Sequence, residues 1–131
     1  MTAFRTVTDH FAVSPQISPA DVAAAAADGV TLIINNRPDG EAPDQPPGAV
    51  IEAAARDAGL DYLHIPVVGR PTPAQVEAMR EAVAGAPGKV LAYCRSGTRS
   101  IATWAMGDGQ PRETRVRLAA AAGYDLSGVL A

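Results

Sequence analysis

The sequence predicts an α/β domain of three layers, in which helices cover both faces of a central, mostly parallel sheet of four or five strands. Short apolar runs rich in β-branched residues alternate with helical segments along the 131 residues. A helical crossover of this kind joins parallel strands. Hydrophobic residues make up 47% of the chain, which is enough for one buried core. We therefore expect a single domain over residues 1–131.

The composition argues against several kinds of protein. The formal net charge is -3, so we expect no broad basic face for nucleic acid or for an anionic membrane. No apolar run approaches the ~20 residues of a membrane span, and the N-terminus lacks a signal-peptide core. The single cysteine favours the cytoplasm, where its thiol stays reduced and available. His10 and His64 are too few and too scattered along the sequence to form a metal site with Cys94. We therefore expect no metal and no cofactor.

The first half of the chain contains two predicted strands and two predicted helices. Pro15 ends a short apolar run, which we interpret as an edge strand. Ser18 is a good N-cap, Pro19 suits the first helical position, and Gly29 suits the C-terminal end. A loop with four prolines and two glycines separates the second strand from the second helix. The predicted segments are an edge strand at 11–16, a helix at 18–29, a strand at 30–37, a loop at 37–48 and a helix at 49–60.

The second half repeats the alternation and ends in helices. Thr72 and Pro73 form the same cap-and-proline start as in the first helix. The run "GKVLAYC" has the length and composition of a buried strand. The predicted segments are a strand at 61–67, a helix at 72–87, a strand at 88–94, a helix at 98–109 and a closing helical segment at 111–130.

The stretch "YCRSGTRS" is the candidate site. Ligands of an open parallel sheet bind beyond the carboxyl ends of its strands, which is where Cys94 falls. Backbone N–H groups of the loop and the helix dipole favour an anion there, and Arg95 and Arg99 add positive charge. We therefore expect Cys94 to be a reactive thiolate near neutral pH. Gly97 lets the backbone approach a bound group closely. Hydroxyl groups for the sulfur or its adduct come from Ser96, Thr98 and Ser100.

The alternative for Cys94 is a buried structural cysteine at the end of a core strand, as is common for lone cysteines. We favour the functional interpretation, because a core thiol has no need of two arginines, a glycine and three hydroxyls in the next six residues.

The loop is similar to the active-site loops of the rhodanese sulfurtransferases and of the tyrosine and dual-specificity phosphatases. The order "VSPQIS…TLIINNRPDGE…AGLDYLHIPV…YCRSGTRS…GYDL" narrows the choice. It closely resembles the bacterial phosphatase-like domain of beta-lactamase-hydrolase-like proteins, from about Phe11 to Leu130. Stand-alone members of that family are often labelled sulfur transferases. The resemblance implies the scaffold of the dual-specificity phosphatases.

Two departures from the phosphatase pattern concern the reaction. Phosphatases of this class separate cysteine and arginine by five residues, whereas four residues separate Cys94 from Arg99, as in rhodanese-like loops. Phosphatases also need a general acid, which in the dual-specificity pattern follows the strand matching "YLHIPV". No carboxylate occurs in Val67–Arg70. Both departures favour sulfur transfer.

The leading hypothesis is therefore a sulfurtransferase. Cys94 takes sulfur from thiosulfate or a persulfide, the loop N–H groups with Arg95 and Arg99 stabilise the charge, and an external thiol or cyanide accepts the sulfur. The alternative is a phosphatase that acts on a phosphate ester through a phosphocysteine, with Arg99 as the clamp and Asp39 as the acid. A third hypothesis is a non-enzymatic module that binds anions or senses oxidation.

Four residues outside the loop also have side chains capable of a role at the site. Arg37 follows a predicted strand and so emerges at the same sheet edge as Cys94, where it would face the site. Asp39 lies in "PDG", which is also good turn chemistry. His64 is expected to be a half-buried histidine within a strand, and Trp104 to belong to the core.

Overall fold

A central sheet of five strands organises the protein. The computed structural model describes residues 4–130. In spatial order the strands are β1, β2, β5, β3 and β4; β1 pairs antiparallel with β2, and the other pairs are parallel. The predicted mostly parallel sheet is confirmed. The strands are β1 (Arg5–Thr6), β2 (Phe11–Ser14), β3 (Val30–Asn35), β4 (Asp61–His64) and β5 (Lys89–Tyr93).

Five helices cover the sheet on its two faces, so the predicted three layers are also confirmed. Apolar residues of α1 and α2 pack with one face in a single core cluster. Those of α3, α4 and α5 pack with the other face in a second cluster. The helices are α1 (Pro19–Ala27), α2 (Gly48–Asp57), α3 (Pro73–Gly85), α4 (Thr98–Gly107) and α5 (Arg112–Ala121). No helix in this part of the chain is long and apolar enough to cross a membrane.

Local sequence determines where two of these helices begin. The Ser18 hydroxyl accepts the backbone N–H of Asp21, whose carboxylate accepts the N–H of Ser18 in return. Thr72 and Gln75 form the same reciprocal pair at the start of α3. Each pair satisfies backbone donors that the first helical turn leaves free, and such a cap stabilises a helix by about 1 kcal/mol.

The structure corrects three predictions: the position of one strand in the sheet and the ends of two elements. The predicted edge strand at 11–16 is β2, which is internal because β1 pairs with its outer side. The strand predicted at 61–67 ends at His64, although Ile65 and Val67 still donate to the carbonyl groups of Asn35 and Asn36 at 2.9 and 3.0 Å. The closing helix ends at Ala121 instead of continuing to residue 130. Gly123, with φ +97°, follows it in the left-handed conformation that ends helices.

The sheet order places the candidate site. Strand β5 lies between β2 and β3, with Tyr93 level with Ser14 on one side and with Asn35 on the other. The segments after these three strands therefore leave the sheet side by side at its carboxyl edge. On the α4 face, Trp104 is 5% exposed and stacks on Phe11 with ring centroids 5.4 Å apart, which confirms its place in the core.

Candidate active site

Cys94 lies at the centre of the carboxyl edge, between the end of β5 and the start of α4. Its Sγ accepts the backbone N–H of Gly97 at 3.1 Å, so the loop curls around the sulfur as an anion cradle would. The residue is fully buried, although the sequence suggested an available thiol. Burial follows from the sheet order, because Cys94 continues the middle strand. The thiol is thus the floor of the site.

The loop is held in shape by a tyrosine from the far end of the chain. Gly97 has φ +93°, and a Cβ built there would lie 2.1 Å from the Tyr124 hydroxyl. That hydroxyl donates to the Ser96 carbonyl at 2.9 Å. Burial raises the pKa of the Tyr124 hydroxyl. The positive charge of Arg5 acts in the opposite direction, and the charge of Cys94 adds to the effect of burial. Glycine is thus required at residue 97 both for its backbone conformation and for the space that Tyr124 fills.

The three hydroxyls of the loop have different surroundings. Ser96 donates to the Thr98 hydroxyl at 3.0 Å, and both residues are exposed. Ser100 is buried, and its hydroxyl has no hydrogen-bond partner within residues 4–130. Of the three, only the Ser100 hydroxyl is therefore both buried and free to donate to a group bound in the loop.

The two loop arginines also differ. Arg95 is exposed at the surface. Arg99 points its guanidinium at Glu41, with Nη1 and Nη2 donating to the two carboxylate oxygens at 2.7 and 2.8 Å. Its Nη1 also donates to the Val67 carbonyl at 2.8 Å. The pKa of Arg99 is raised, and the hydrogen bond to Glu41 is the main cause. Burial acts in the opposite direction, whereas the nearby charge of Cys94 raises the pKa further.

Arg37 lies beneath the same carboxylate. It is 4% exposed, its Nε donates to Glu41 at 3.0 Å, and its Nη1 donates to the Gln16 side chain at 3.0 Å. The carbonyl oxygen of Arg37 accepts from His64, whose Nε2 lies 3.0 Å away. Arg37 and Arg99 are therefore joined through one carboxylate. His64 is exposed on the edge strand, which corrects the expectation of a half-buried histidine.

Glu41 is the residue that sequence reasoning missed. Its carboxylate binds both arginines, and its pKa falls from 4.5 to about 2. The largest cause is the hydrogen bond from Arg99; burial acts in the opposite direction, and Arg37 lowers the value further. The only sequence signal was that Glu41 lies in the loop after β3, at the same sheet edge as Cys94.

Asp39 is directed away from this network. One oxygen of its side chain accepts the backbone N–H of Gly48, the first residue of α2, at 2.7 Å. A carboxylate at that position satisfies a free N–H of the helix and interacts favourably with its dipole. In the structure, Asp39 therefore serves as the cap of α2.

The segment after β4 forms another wall of the site. Val67 is buried, and its carbonyl holds Arg99, whereas Val68 is 77% exposed. A cavity of about 250 Å³ opens beside Arg99, lined by apolar atoms that include those of Pro71, Ala102 and Val129. Among residues 4–130, no three histidine, cysteine, aspartate or glutamate side chains come together as a metal site would require.

Comparison with known proteins identifies the family. The model of the phosphatase-like domain of beta-lactamase hydrolase-like proteins matches residues 3–111. The chain belongs to this family. This phosphatase-like domain is 39% identical over 125 residues to a beta-lactamase hydrolase-like protein of Xylella fastidiosa, covering 92% of the chain and 29% of that relative. For the relative from Agrobacterium fabrum the identity is 38%, with 78% and 24% covered. The domain thus spans less than a third of the curated relatives that it matches.

Solved structures agree with this assignment. A "putative phosphatase" from Neisseria meningitidis superposes with a TM-score of 0.87 at 35% identity, covering 98% of this chain and 94% of that one. The phosphatase Tk-PTP gives 0.69 at 20% identity, with 92% and 85% covered. TpbA of P. aeruginosa, solved with pTyr, gives 0.67 at 17%, with 88% and 70% covered. The last two likenesses show the fold alone, which is the predicted dual-specificity or tyrosine phosphatase-like scaffold.

Proposed function

We propose that the domain is a cysteine-dependent sulfurtransferase built on a phosphatase-like scaffold. The observation that carries the proposal is the state of the two carboxylates near the loop. Glu41 is ion-paired with two arginines and has a pKa of about 2, so it carries no proton near pH 7. Asp39 caps α2. Neither is placed to protonate a leaving alkoxide, which a phosphatase needs.

Sulfur transfer from thiosulfate has no such requirement, because sulfite leaves as a stable anion. The Cys94 thiolate attacks the outer sulfur, the S–S bond breaks, and its electron pair departs with sulfite; Cys94 then carries a persulfide. A thiolate acceptor attacks that outer sulfur and regenerates the Cys94 thiolate. The Gly97 N–H stabilises the sulfur anion, and Arg99 stabilises the negative charge of the leaving group. The chain has one cysteine, so the acceptor comes from outside it.

Phosphatase chemistry is the second candidate, and the comparisons support it more directly than they support sulfur transfer. The Neisseria relative, 35% identical, is described as a "putative phosphatase", and the scaffold is shared with Tk-PTP and TpbA. In this alternative the Cys94 thiolate attacks phosphorus, the ester oxygen leaves with a proton from solvent, and water hydrolyses the phosphocysteine. The four-residue separation of Cys94 and Arg99 and the lack of a placed acid favour aryl esters, whose phenolate leaves without protonation.

One pair of assays tests both candidates. The pure domain is incubated with thiosulfate or an alkyl persulfide and weighed intact, and hydrolysis of p-nitrophenyl phosphate is measured in parallel. We expect a gain of one sulfur atom that is absent in Cys94→Ser, with aryl-phosphate hydrolysis at least about tenfold less efficient, a difference of ~1.4 kcal/mol in transition-state stabilisation. Efficient hydrolysis that depends on Cys94, without any sulfur gain, would replace the first candidate with the second.

A further inference from the structure

Glu41 occupies one of the two forked edges of the Arg99 guanidinium. A guanidinium has five N–H donors, and its strongest complexes with oxyanions are forked. In Arg99, both Nη1 hydrogens and one on Nη2 are taken by Glu41 and the Val67 carbonyl. The donors that remain are Nε–H and the second Nη2–H, along one edge of the group. A substrate anion is left with that edge and with the loop N–H groups.

Glu41 offsets part of the positive charge of the site before any substrate arrives. Arg37 and Arg99 supply two positive charges, and the Glu41 carboxylate that binds both supplies one negative charge. Arg37 is 4% exposed, and the side chains of Arg99 and Glu41 are 20% and 28% exposed, so solvent screens these charges only in part. Glu41 therefore removes one unit of the positive charge that an incoming dianion would otherwise meet.

We propose that Glu41 selects the sulfur donor by its charge, so that the site takes an organic persulfide in preference to the dianion thiosulfate. This inference rests on the proposed sulfur transfer. The Cys94 thiolate attacks the outer sulfur of R–S–S–H, the S–S bond breaks, and the electron pair leaves as R–S⁻. Cys94 keeps the outer sulfur with its proton, as Cys–S–S–H. The leaving thiolate carries a single charge, which the free edge of Arg99 stabilises.

The cavity beside Arg99 supports a donor with an organic part. Its volume of about 250 Å³ and the apolar atoms of Pro71, Ala102 and Val129 suit a small carbon skeleton. Thiosulfate has no carbon atoms to place there. Thr98 of the loop also lines this cavity, so the cavity adjoins the loop that holds Cys94.

The test compares the wild type with Glu41→Gln, which removes the charge, and Glu41→Asp, which keeps it. Glu52→Gln is the matched control, because Glu52 also pairs with an arginine but lies on the exposed surface of α2. Initial rates of sulfur gain at Cys94 are measured by intact mass with an alkyl persulfide and with thiosulfate. A second measurement, which needs no sulfur transfer, is how strongly sulfate protects Cys94 from alkylation.

We expect the wild type, Glu41→Asp and Glu52→Gln to gain sulfur at least about tenfold faster from the persulfide than from thiosulfate. Glu41→Gln should bring that ratio close to one and bind sulfate at least about fivefold more tightly, because one negative charge is gone. A wild type that prefers thiosulfate, or a Glu41→Gln variant with unchanged ratio and sulfate affinity, overturns the inference. If neither donor adds sulfur, the proposed sulfur transfer itself fails, and sulfate protection alone then decides whether Glu41 selects anions by charge.

Discussion

Replacing Gly97 with alanine tests the structure of the anion loop most directly. At φ +93° an alanine costs about 1–2 kcal/mol, because its Cβ crowds the backbone in the left-handed region. The same Cβ would stand 2.1 Å from the Tyr124 hydroxyl and 2.9 Å from the ring carbon that bears it. The tyrosine must therefore move and lose its hydrogen bond to Ser96, worth about 1 kcal/mol. We expect a total loss of about 2–3 kcal/mol in the free energy of unfolding.

The matched control is Gly59→Ala. Gly59 has φ +80°, but a Cβ there meets nothing within 4 Å, so this variant should lose only the conformational part, about 1–2 kcal/mol. Urea unfolding measures both losses from midpoints at constant slope. In a Tyr124→Ala background, Gly97→Ala should cost no more than Gly59→Ala does, because the obstructing side chain has gone. Equal losses for the two single variants would show that Tyr124 does not fill the space above Gly97.

Three further predictions concern the charged residues of the site. Arg99→Lys should slow sulfur gain at Cys94 by about tenfold or more, whereas Arg95→Lys should leave it within about twofold. Arg99 is held at the site by Glu41 and keeps a second forked edge for an anion, which lysine lacks, whereas Arg95 is exposed at the surface. Asp39→Asn should change the free energy of unfolding by no more than about 0.5 kcal/mol, since asparagine also caps helices. The same variant should leave the pH profile of aryl-phosphate hydrolysis unchanged, because Asp39 does not act as the acid. Glu41→Gln should lower the free energy of unfolding near pH 7 by less than about 1 kcal/mol, because the network is partly exposed. Because the pKa of Glu41 is lowered from 4.5 to about 2, this difference should hold above pH 4.5 and disappear as the pH falls towards 2.

Each of these three has an outcome that contradicts it. Equal rates for Arg99→Lys and the wild type would mean that Arg99 does not hold the leaving group. If the pH–rate profile of Asp39→Asn lacks the limb that reports a protonated acid in the wild type, Asp39 is the general acid after all. A difference between the wild type and Glu41→Gln that grows below pH 4.5 would mean that Glu41 is not stabilised as a carboxylate.

Local sequence was sufficient for the five helices, for four of the five strands and for the loop, whereas the short strand β1 was not predicted. The capping boxes at Ser18 and Thr72 act between residues three apart, and the lengths of the apolar runs distinguish strands from helices. The loop from Cys94 to Ser100 is likewise continuous in sequence, so its N–H groups, arginines and glycine could be placed together without the fold. The closing helix was predicted too long because Gly123, in the left-handed conformation, follows its end.

Tertiary structure alone decided which distant groups join that loop. Glu41 and Arg99 are 58 positions apart, and Tyr124 lies 28 positions beyond the carbonyl that it holds. These pairs form because β3 neighbours β5 and because the chain after α5 returns over the loop. The pairing of β1 with β2 also depends on the tertiary structure. Sequence determines contacts whose spacing is set by a helix or a turn. A contact across the sheet depends on strand order, which no local pattern specifies, and so the charge of the site was visible only in the folded chain.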